Sequence, residues 1–552
     1  MKSSRAQHGS DERAEGSRAH SLHIATLFAF AVAQPLFDLA GRHPEFLVAH
    51  GMQTASLLIF VFSLAFAFPL SVWVSLLVYG KLSRSLENWL AGLLIGLLSG
   101  LLALQVFTKT ISAPGPLLVT EAVGVAIAAI WLYGNFSGVR LFLTVLSPSI
   151  LIFPLMFLFG SPLMSRNSGL YEMPTVDSQT PIVMVVFDEL PLISLLNLER
   201  KIDPVRYPNL AALTGESHWF RNSTTVSGGT LISLPVILDG LFPDPVRKKL
   251  PTIAGHPRSL FTLLQNSHEL NIHENITQLA PGARSPRNLP PSSFLQDLSI
   301  VYFHLLLPID LAGSLPPITE SWRDFSKSSG GQPPGWADFR VDWSDRANKF
   351  RDFIQSIRPG GRPGIHFLHS MLPHASWKYL PDGKLYTAYE RPGVAGVVGR
   401  NDAGIDVNQW LEDEWPPIQA YKRHLLQVGY VDTLVGDLVA RLKEQDLYEQ
   451  TLLVLTSDHG ASFLPGDSRR RITPSNYPGL ISIPLIVKEP FQKEGRSHDR
   501  NVETIDILPT ILGLAGAPVP SPIDGRALAP IWRGETDSVR EALFLSFTDS
   551  MR

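Results

Sequence analysis

The sequence contains no cysteine. This absence excludes disulfide bonds, cysteine-based zinc sites, iron–sulfur clusters and thiol nucleophiles, and it removes redox chemistry as a guide to the compartment. Charge is scarce as well, because Asp, Glu, Lys and Arg make up 18% of the 552 residues, against about 25% in a typical soluble domain. Lys and Arg (47) nearly balance Asp and Glu (50), so no excess of positive charge indicates a nucleic-acid partner. The composition excludes a disordered chain and points towards a membrane.

The shortage of charge is concentrated in the first third of the chain. No charged residue occurs between Glu45 and Lys81, and about 20 apolar residues suffice for a helix that crosses hydrocarbon. The breaks between apolar runs predict five transmembrane helices, near residues 22–40, 54–80, 90–108, 115–134 and 140–160. The alternative for the first run is a signal peptide, but a long polar segment precedes it and no clean cleavage site follows it.

The basic residues of the connecting loops predict the orientation of these helices, because Lys and Arg are enriched in cytoplasmic loops. With the N-terminus inside, only Arg42 and Lys109 lie in the short outer loops. The inner loops then hold Lys2, Arg5, Arg13, Arg18, Lys81, Arg84 and Arg140. Five crossings place everything after residue 160 outside the cytoplasm, a prediction that depends on the first helix.

The pattern of the sequence changes after residue 180. Short apolar, β-branched runs alternate with helical patterns such as 418–445. The predicted strands are 181–187, 364–369, 451–457 and 481–487. Buried strands that alternate with helices predict an α/β domain with a mostly parallel central sheet.

The predicted organisation is therefore an all-α transmembrane bundle of about five helices followed by this α/β domain. Within the α/β domain, 279–300 and 326–336 are interpreted as long loops with weak structure. The predicted segments are a cytoplasmic tail (1–21), the transmembrane domain (22–160), a linker (161–180), the α/β domain (181–530) and a C-terminal extension (531–552).

Carboxylates and imidazoles lie at three predicted strand ends. They are Asp188 and Glu189, His369 and His374, and Asp458 and His459. Singly, such a residue is more often a turn former or a satisfied polar group. Ligands bind beyond the carboxyl ends of strands in parallel sheets, and these side chains together are the donors that a divalent cation needs.

A hydroxyl-rich segment supplies a candidate nucleophile. Residues 222–240 contain Gly228 and Gly229, and an apolar helix is predicted to begin near Thr230. A hydroxyl at a helix N-terminus faces backbone N–H groups and the positive end of the helix dipole, which would stabilise an alkoxide. The alternative is that Thr230 or Ser227 simply caps the helix. The segment itself leaves both interpretations open.

The order of these motifs resembles the alkaline phosphatase/sulfatase superfamily over about residues 181–530. Ser457-Asp458-His459-Gly460 looks like its SDHG element, and Gly229-Thr230-x-x-Ser233-x-Pro235 is similar to the segment around the nucleophilic threonine of lipid phosphoethanolamine transferases. His369-x₄-His374 repeats the spacing of the substrate-site histidines of those transferases. They and the lipoteichoic-acid-type phosphoglycerol transferases also carry five spans before an extracytoplasmic catalytic domain.

The resemblance implies a role for each matching residue. Thr230 would be the nucleophile, while His374 and His369 would contact the phosphoryl oxygens or protonate the leaving group. A site with one histidine and two carboxylates suits Zn or Mn, with Ca or Mg as the other choices. The implied metal ligands are Asp188 (with Glu189 in second place), Thr230, Asp458 and His459.

The resemblance also implies a reaction and a location. Attack by Thr230 on a phospholipid donor would form phospho-Thr230, and phosphoethanolamine or phosphoglycerol would then pass to an envelope glycan or lipid acceptor. We expect a multi-pass protein of a bacterial-type inner (plasma) membrane with a periplasmic catalytic domain. Arg469, Arg470 and Arg471 either hold an anionic headgroup or form a solvated loop.

Other functions stay open. A sulfuric ester hydrolase (sulfatase) or a phosphodiesterase would use a similar site. Sulfatases, however, convert Cys or Ser of a C/S-x-P-x-R motif to formylglycine, and the nearest match here, Ser233-Leu234-Pro235-Val236-Ile237, lacks the Arg. A catalytically degenerate domain that binds envelope glycans is the non-enzymatic alternative, and the intact Asp458-His459 pair argues against it.

We predict that a reporter enzyme that is active only outside the cytoplasm is active when it is fused after residue 170. The reason is the excess of Lys and Arg in the loops on the N-terminal side of the membrane. A matched fusion after residue 82, in a loop predicted to be cytoplasmic, should be inactive. The measurement is reporter activity per amount of fusion protein, and activity of the second fusion alone would contradict the five-helix topology.

Overall fold

The computed structural model divides the chain into two compact units. The first consists of described residues from 1–166 and 286–339, and the second of those from 167–285, 340–401 and 405–552. The described residues are 17–161, 178–281, 291–312, 344–398 and 409–535, apart from gaps at 53, 112, 245–248, 275, 376 and 386–396, together with 315, 316, 318, 325, 540 and 543–545.

Helices occur in both units. In chain order, the helices up to residue 312 are α1 (Ser17–Arg42), α2 (Pro44–Ala49), α3 (Thr54–Leu82), α4 (Arg84–Thr110), α5 (Gly115–Asn135), α6 (Ser137–Gly160), α7 (Pro208–Thr214), α8 (Thr230–Asp239), α9 (Leu260–Leu264), α10 (Pro291–Leu306) and α11 (Ile309–Ala312). Those that follow are α12 (Ser344–Ser356), α13 (Trp415–Glu444), α14 (Tyr477–Ile481), α15 (Ile507–Leu514) and α16 (Ala529–Trp532).

Five helices of the first unit (α1, α3, α4, α5 and α6) are long and apolar enough to cross a membrane. Each contains the corresponding predicted range, so the prediction of five such helices is confirmed. Large apolar side chains such as Ile127 and Phe142 are exposed on them. This pattern suits contact with lipid, where a helix also satisfies every backbone hydrogen bond internally.

The second unit contains a seven-stranded sheet of order β3-β4-β1-β7-β8-β2-β9. All neighbouring strands are parallel except that β8 runs antiparallel to β7 and β2. The strands are β1 (Ile182–Asp188), β2 (His218–Thr224), β3 (Glu269–His273), β4 (Gly364–Pro373), β7 (Leu452–Ser457), β8 (Leu485–Lys488) and β9 (Arg496–Glu503), and β5 (Val397–Val398) pairs separately with β6 (Gln409–Trp410). The predicted α/β class with a mostly parallel sheet is confirmed.

Helices cover both faces of this sheet, which explains the nearly continuous apolar sequence of its central strands. Every residue of β1 is buried. Val185 belongs to the core that includes Phe353 of α12 and Leu434 of α13. Val186, on the opposite face, belongs to a second core with Leu234 of α8. Burial on both faces holds the central strands in one register, and their carboxyl ends therefore form a rigid edge.

Two predicted segments differ from the structure. The predicted strand 481–487 is divided, because α14 ends at Ile481 and β8 begins only at Leu485. The stretch 279–300, interpreted as a loop, contains most of the helix α10, which packs within the first unit. The second interpreted loop, 326–336, lies outside the described residues.

Candidate active site

The carboxyl ends of three neighbouring strands bring the predicted site residues to one edge of the sheet. β4, β1 and β7 lie side by side and run parallel. Val186 pairs with His369 across the first interface, and Phe187 pairs with Ser457 across the second. Side chains that follow these positions meet at the same edge, where ligands bind in open α/β sheets.

Asp188, Asp458 and His459 form a buried cluster at this edge. One ligand atom of each residue lies within 4.8 Å of the others. The His459 Nε2 atom is 3.7 Å from Asp188 Oδ1 and 3.6 Å from Asp458 Oδ2. The structure thus brings together three of the residues predicted to bind a metal ion.

The main chain orients His459 towards the two carboxylates. Its Nδ1 atom is 2.8 Å from the carbonyl oxygen of Gly460, and since a carbonyl only accepts, Nδ1 carries a proton and Nε2 faces the cluster. Metal-binding histidines are oriented in this way. The tight turn requires glycine, because a Cβ atom at Gly460 would lie 2.0 Å from the carbonyl oxygen of Gly479.

The Thr230 hydroxyl faces the same cluster. Thr230 is the first residue of α8, and Gly229 is the N-cap without a side-chain capping bond. The hydroxyl donates to Asp458 Oδ2 at 2.6 Å and lies 3.5 Å from His459 Nε2. The capping alternative for Thr230 is therefore wrong, and its Oγ1 atom sits at the positive end of the helix dipole.

Glu189 lies beside this cluster, but arginines hold its carboxylate. Arg469 Nη1 is 2.6 Å from Oε2, and Arg470 Nε is 3.3 Å from Oε1. Burial raises the pKa of Glu189, but Arg469 and His374 lower it well below its usual value. Glu189 also forms a second possible metal-binding group with Asp188 and His374. Its arginine partners favour Asp188 as the carboxylate that is open to a cation.

Arg470 joins two of the predicted site histidines. Its Nη1 atom is 3.1 Å from His374 Nε2, and its Nη2 atom is 2.8 Å from His459 Nε2. His374 Nδ1 lies 2.6 Å from the carbonyl oxygen of Ala375, so its Nε2 atom points into the site. Burial lowers the pKa of His374. A guanidinium group beside neutral imidazoles at this position could hold the oxygens of an anionic group.

His369 lies between two carboxylates. Its Nε2 atom is 3.8 Å from Asp458 Oδ2, and its Nδ1 atom is 4.0 Å from Glu274 Oε1. Neither ring nitrogen has a hydrogen-bond partner among the described residues. Burial lowers the pKa of His369, but Asp458, Asp188 and Glu274 raise it above its usual value. The three carboxylates therefore favour the protonated form of His369, next to the Thr230–Asp458 contact.

Known proteins match parts of this chain. The sulfatase family profile matches residues 322–517. Arylsulfatase K of Canis lupus familiaris is 34% identical over 100 residues, which are 18% of either chain. The endo-4-O-sulfatase of Bacteroides thetaiotaomicron is 31% identical over 186 residues, 33% of this chain and 34% of that protein. The second unit belongs to the alkaline phosphatase/sulfatase superfamily.

The matches cover only part of these relatives, between about a fifth and a third of their length. Among solved structures, the phosphonate monoester hydrolase of Silicibacter pomeroyi aligns with a TM-score of 0.43 and 21% identity, over 65% of this chain and 78% of that one. Membership in the superfamily supports the resemblance drawn from the SDHG element, while the resemblance to the membrane transferases stays a prediction.

Enzymes of this superfamily use a divalent metal ion, and the site residues fit one. Burial, and then the Asp458 carboxylate, raise the pKa of Asp188 to about 6. Burial also raises the pKa of Asp458, but His459 and His369 lower it to about 2. Asp188 Oδ1 is buried and has no hydrogen-bond partner among the described residues. A cation between these carboxylates would relieve their repulsion and satisfy that oxygen.

Sequence reasoning missed Glu274 and left the arginines undecided. Glu274 directly follows β3, much as Asp188 stands at the end of β1. The sequence of β3 is polar, however, so the strand was not predicted and Glu274 did not stand out. Of the three arginines, Arg469 is buried against Glu189, Arg470 lies in the site, and Arg471 is exposed.

We predict that Asp458→Asn weakens binding of a divalent ion by at least about tenfold, because even outer-shell partners of a metal contribute that much. The measurement is metal content and metal titration of the purified full chain. The matched control is Asp239→Asn, which removes a carboxylate that lies 2.6 Å from His256 at the far end of α8. Equal metal affinity of both variants and the wild type would contradict the site.

Proposed function

We propose that the second unit is a metal-dependent enzyme that cleaves an anionic ester by attack of the Thr230 hydroxyl. One observation carries this proposal, the 2.6 Å hydrogen bond from Thr230 Oγ1 to Asp458 Oδ2 within the cluster that could hold a metal ion. A hydroxyl that simply capped α8 would not point into a set of buried carboxylates. Its position supports a nucleophile instead.

Three features of the site would activate the Thr230 hydroxyl for such a reaction. Asp458 accepts a hydrogen bond from the Thr230 hydroxyl, which aligns Oγ1 for attack, and would take up the hydroxyl proton as the new bond forms. A divalent ion bound by Asp188, Asp458 and His459 would withdraw charge from the ester and lower the pKa of that hydroxyl. The N-terminus of α8 favours the negative charge that develops on Oγ1.

Residues next to this cluster would bind the ester and its leaving group. Arg470 would bind non-bridging oxygens of the ester, since it is 26% exposed and anchored on Glu189. As the bond from Thr230 Oγ1 to the central atom forms, the bond to the leaving oxygen breaks. His369 would supply the proton that this oxygen takes up, because its pKa is raised whereas that of His374 is lowered. A water molecule or a second alcohol then releases the group from Thr230.

Sulfate esters are the first candidate substrates. The printed names of the curated relatives are those of sulfatases, and they favour the sulfuric ester hydrolase alternative over the phosphotransferase expectation. The enzyme would then hydrolyse the ester through sulfo-Thr230, because a threonine at this position does not yield formylglycine.

Phospho-substituted lipids are the second candidate, and Thr230 itself favours them. A plain threonine hydroxyl matches the pattern of the phosphoethanolamine transferases, and the described first unit supplies five helices long enough to cross a membrane. In this version a phospholipid is the donor, an envelope glycan or lipid is the acceptor, and the unit lies on the periplasmic side of a bacterial-type inner membrane.

Two kinds of metal suit the donor set. The oxygens of Asp188, Asp458 and Thr230 favour hard ions such as Ca or Mg, whereas the His459 imidazole favours Zn or Mn. We propose Zn or Mn for phosphoryl transfer and Ca or Mg for sulfate ester hydrolysis.

We predict that Thr230→Ala lowers kcat by at least about 10³-fold, because loss of a nucleophile removes its covalent step. Ser233→Ala is the matched control, since the Ser233 hydroxyl donates to the backbone of Ser227 and not to the cluster; it should retain activity. The measurement is turnover of the purified full chain on a sulfate monoester and on a phospholipid.

Label transfer separates the two substrate classes. With ³⁵S-labelled sulfate ester or ³²P-labelled phospholipid, label trapped on the peptide that contains Thr230 identifies the chemistry. Full activity of Thr230→Ala, or label on another residue, would overturn the proposed nucleophile.

A further inference from the structure

The helix α10 is a component of the first unit, although it lies in sequence between β3 and β4 of the second. Near its start, Asp297 Oδ2 is 2.9 Å from His50 Nε2, and both side chains are only 2% exposed. The Phe294 ring lies 5.5 Å from that of Phe60 in α3. A buried hydrogen bond and an aromatic contact therefore fix this part of α10 beside the connection between α1 and α3.

The segment that follows α10 is fixed at another connection. Asp310 in α11 accepts a hydrogen bond from the backbone N–H of Gly115 at 2.8 Å, at the start of α5. Because short connections join the consecutive long helices, these helices run in alternate directions, and we infer that the starts of α3 and α5 lie at the same end of the bundle. α10 and α11 therefore pass across that end.

Polar contacts also join the middle of α10 to the long helices. The carbonyl oxygen of Ala31 accepts hydrogen bonds from Tyr302 Oη at 2.9 Å and from Gln105 Nε2 at 2.7 Å. Ala31 lies in a π-helical stretch of α1, Ala29–Ala33, where the regular backbone pattern is interrupted. Tyr302 thus packs against α1 itself and not only against the loops.

The outer face of α10 carries no charge. Leu295 is 57% exposed and Phe303 is 45% exposed, and Ser299 between them is exposed as well. These positions are four residues apart and form one line along the helix. The surface helix α12 of the second unit, by contrast, exposes Lys349 and Arg351. A helix that faced water would be expected to carry such charges.

We propose that α10 lies in the interfacial region of the lipid bilayer, with the line of Leu295, Ser299 and Phe303 in contact with lipid. The partner is the lipid surface itself, because this uncharged line belongs to a helix whose inner face packs against the apolar long helices of the same unit. Interfacial helices bury an apolar face at the boundary between headgroups and acyl chains in this way. His50 anchors α10 and Gly115 anchors α11 within the first unit.

The absence of cysteine allows a direct test. Single cysteines at Leu295→Cys and Phe303→Cys, in the full chain reconstituted in phosphatidylethanolamine/phosphatidylglycerol nanodiscs, are labelled with a nitroxide. Collision rates are measured with oxygen, which concentrates in lipid, and with a water-soluble nickel chelate. The lipid reference is Leu141→Cys on α6, which is 65% exposed. The water reference is Lys493→Cys, whose side chain is 68% exposed.

We expect the ratio of oxygen to nickel collisions at positions 295 and 303 to exceed that at 493 several-fold and to approach that at 141. Ratios equal to that at 493 would overturn the proposal, because they place the face in water. Low collision rates with both reagents would overturn it too, because they show that protein covers the face. Unchanged thermal melting of each labelled variant verifies that the fold is intact.

Discussion

The chemistry proposed for the second unit depends on two buried carboxylates that lie close together at the ends of neighbouring parallel strands. Asp188 is the last residue of β1 and Asp458 follows β7, and the core on both faces of the sheet keeps these strand ends in register. Like charges so close together in a buried place favour a bound cation. His459 Nε2 and the Thr230 hydroxyl both face this position between the carboxylates.

The pairing of Glu189 with arginines separates two functions at one strand end. Asp188 faces the cluster, whereas its neighbour Glu189 binds Arg469 and Arg470. The Glu189 carboxylate thereby holds the Arg470 guanidinium group in the site, where it contacts His374 and His459. The site therefore places an arginine that could hold an anion beside the residues that could hold a metal ion, as the proposed cleavage of an anionic ester requires.

The sequence predicts those features that depend on local pattern. The runs with few charges predict the long helices because a helix satisfies every backbone group within itself in lipid. The carboxylates at the ends of β1 and β7 stand out because the residues before them are mostly apolar. Glu274 and Arg470 escape such reasoning, since only the packing of distant segments brings them to the site. The prolines before α10 suggest a loop. The contacts that hold α10 as a helix involve residues far away in the sequence, such as His50, so the local pattern does not predict them.

The central claim is that one divalent ion binds between Asp188, Asp458, His459 and Thr230. Anomalous X-ray diffraction at the absorption edge of the metal, from crystals of the full chain loaded with it, tests this claim most directly. We predict an anomalous-difference peak about 2.0–2.4 Å from the ligand atoms of Asp458 and His459, with Thr230 Oγ1 beside it. A peak on Glu189 and His374 alone, or no peak at this edge of the sheet, would contradict it.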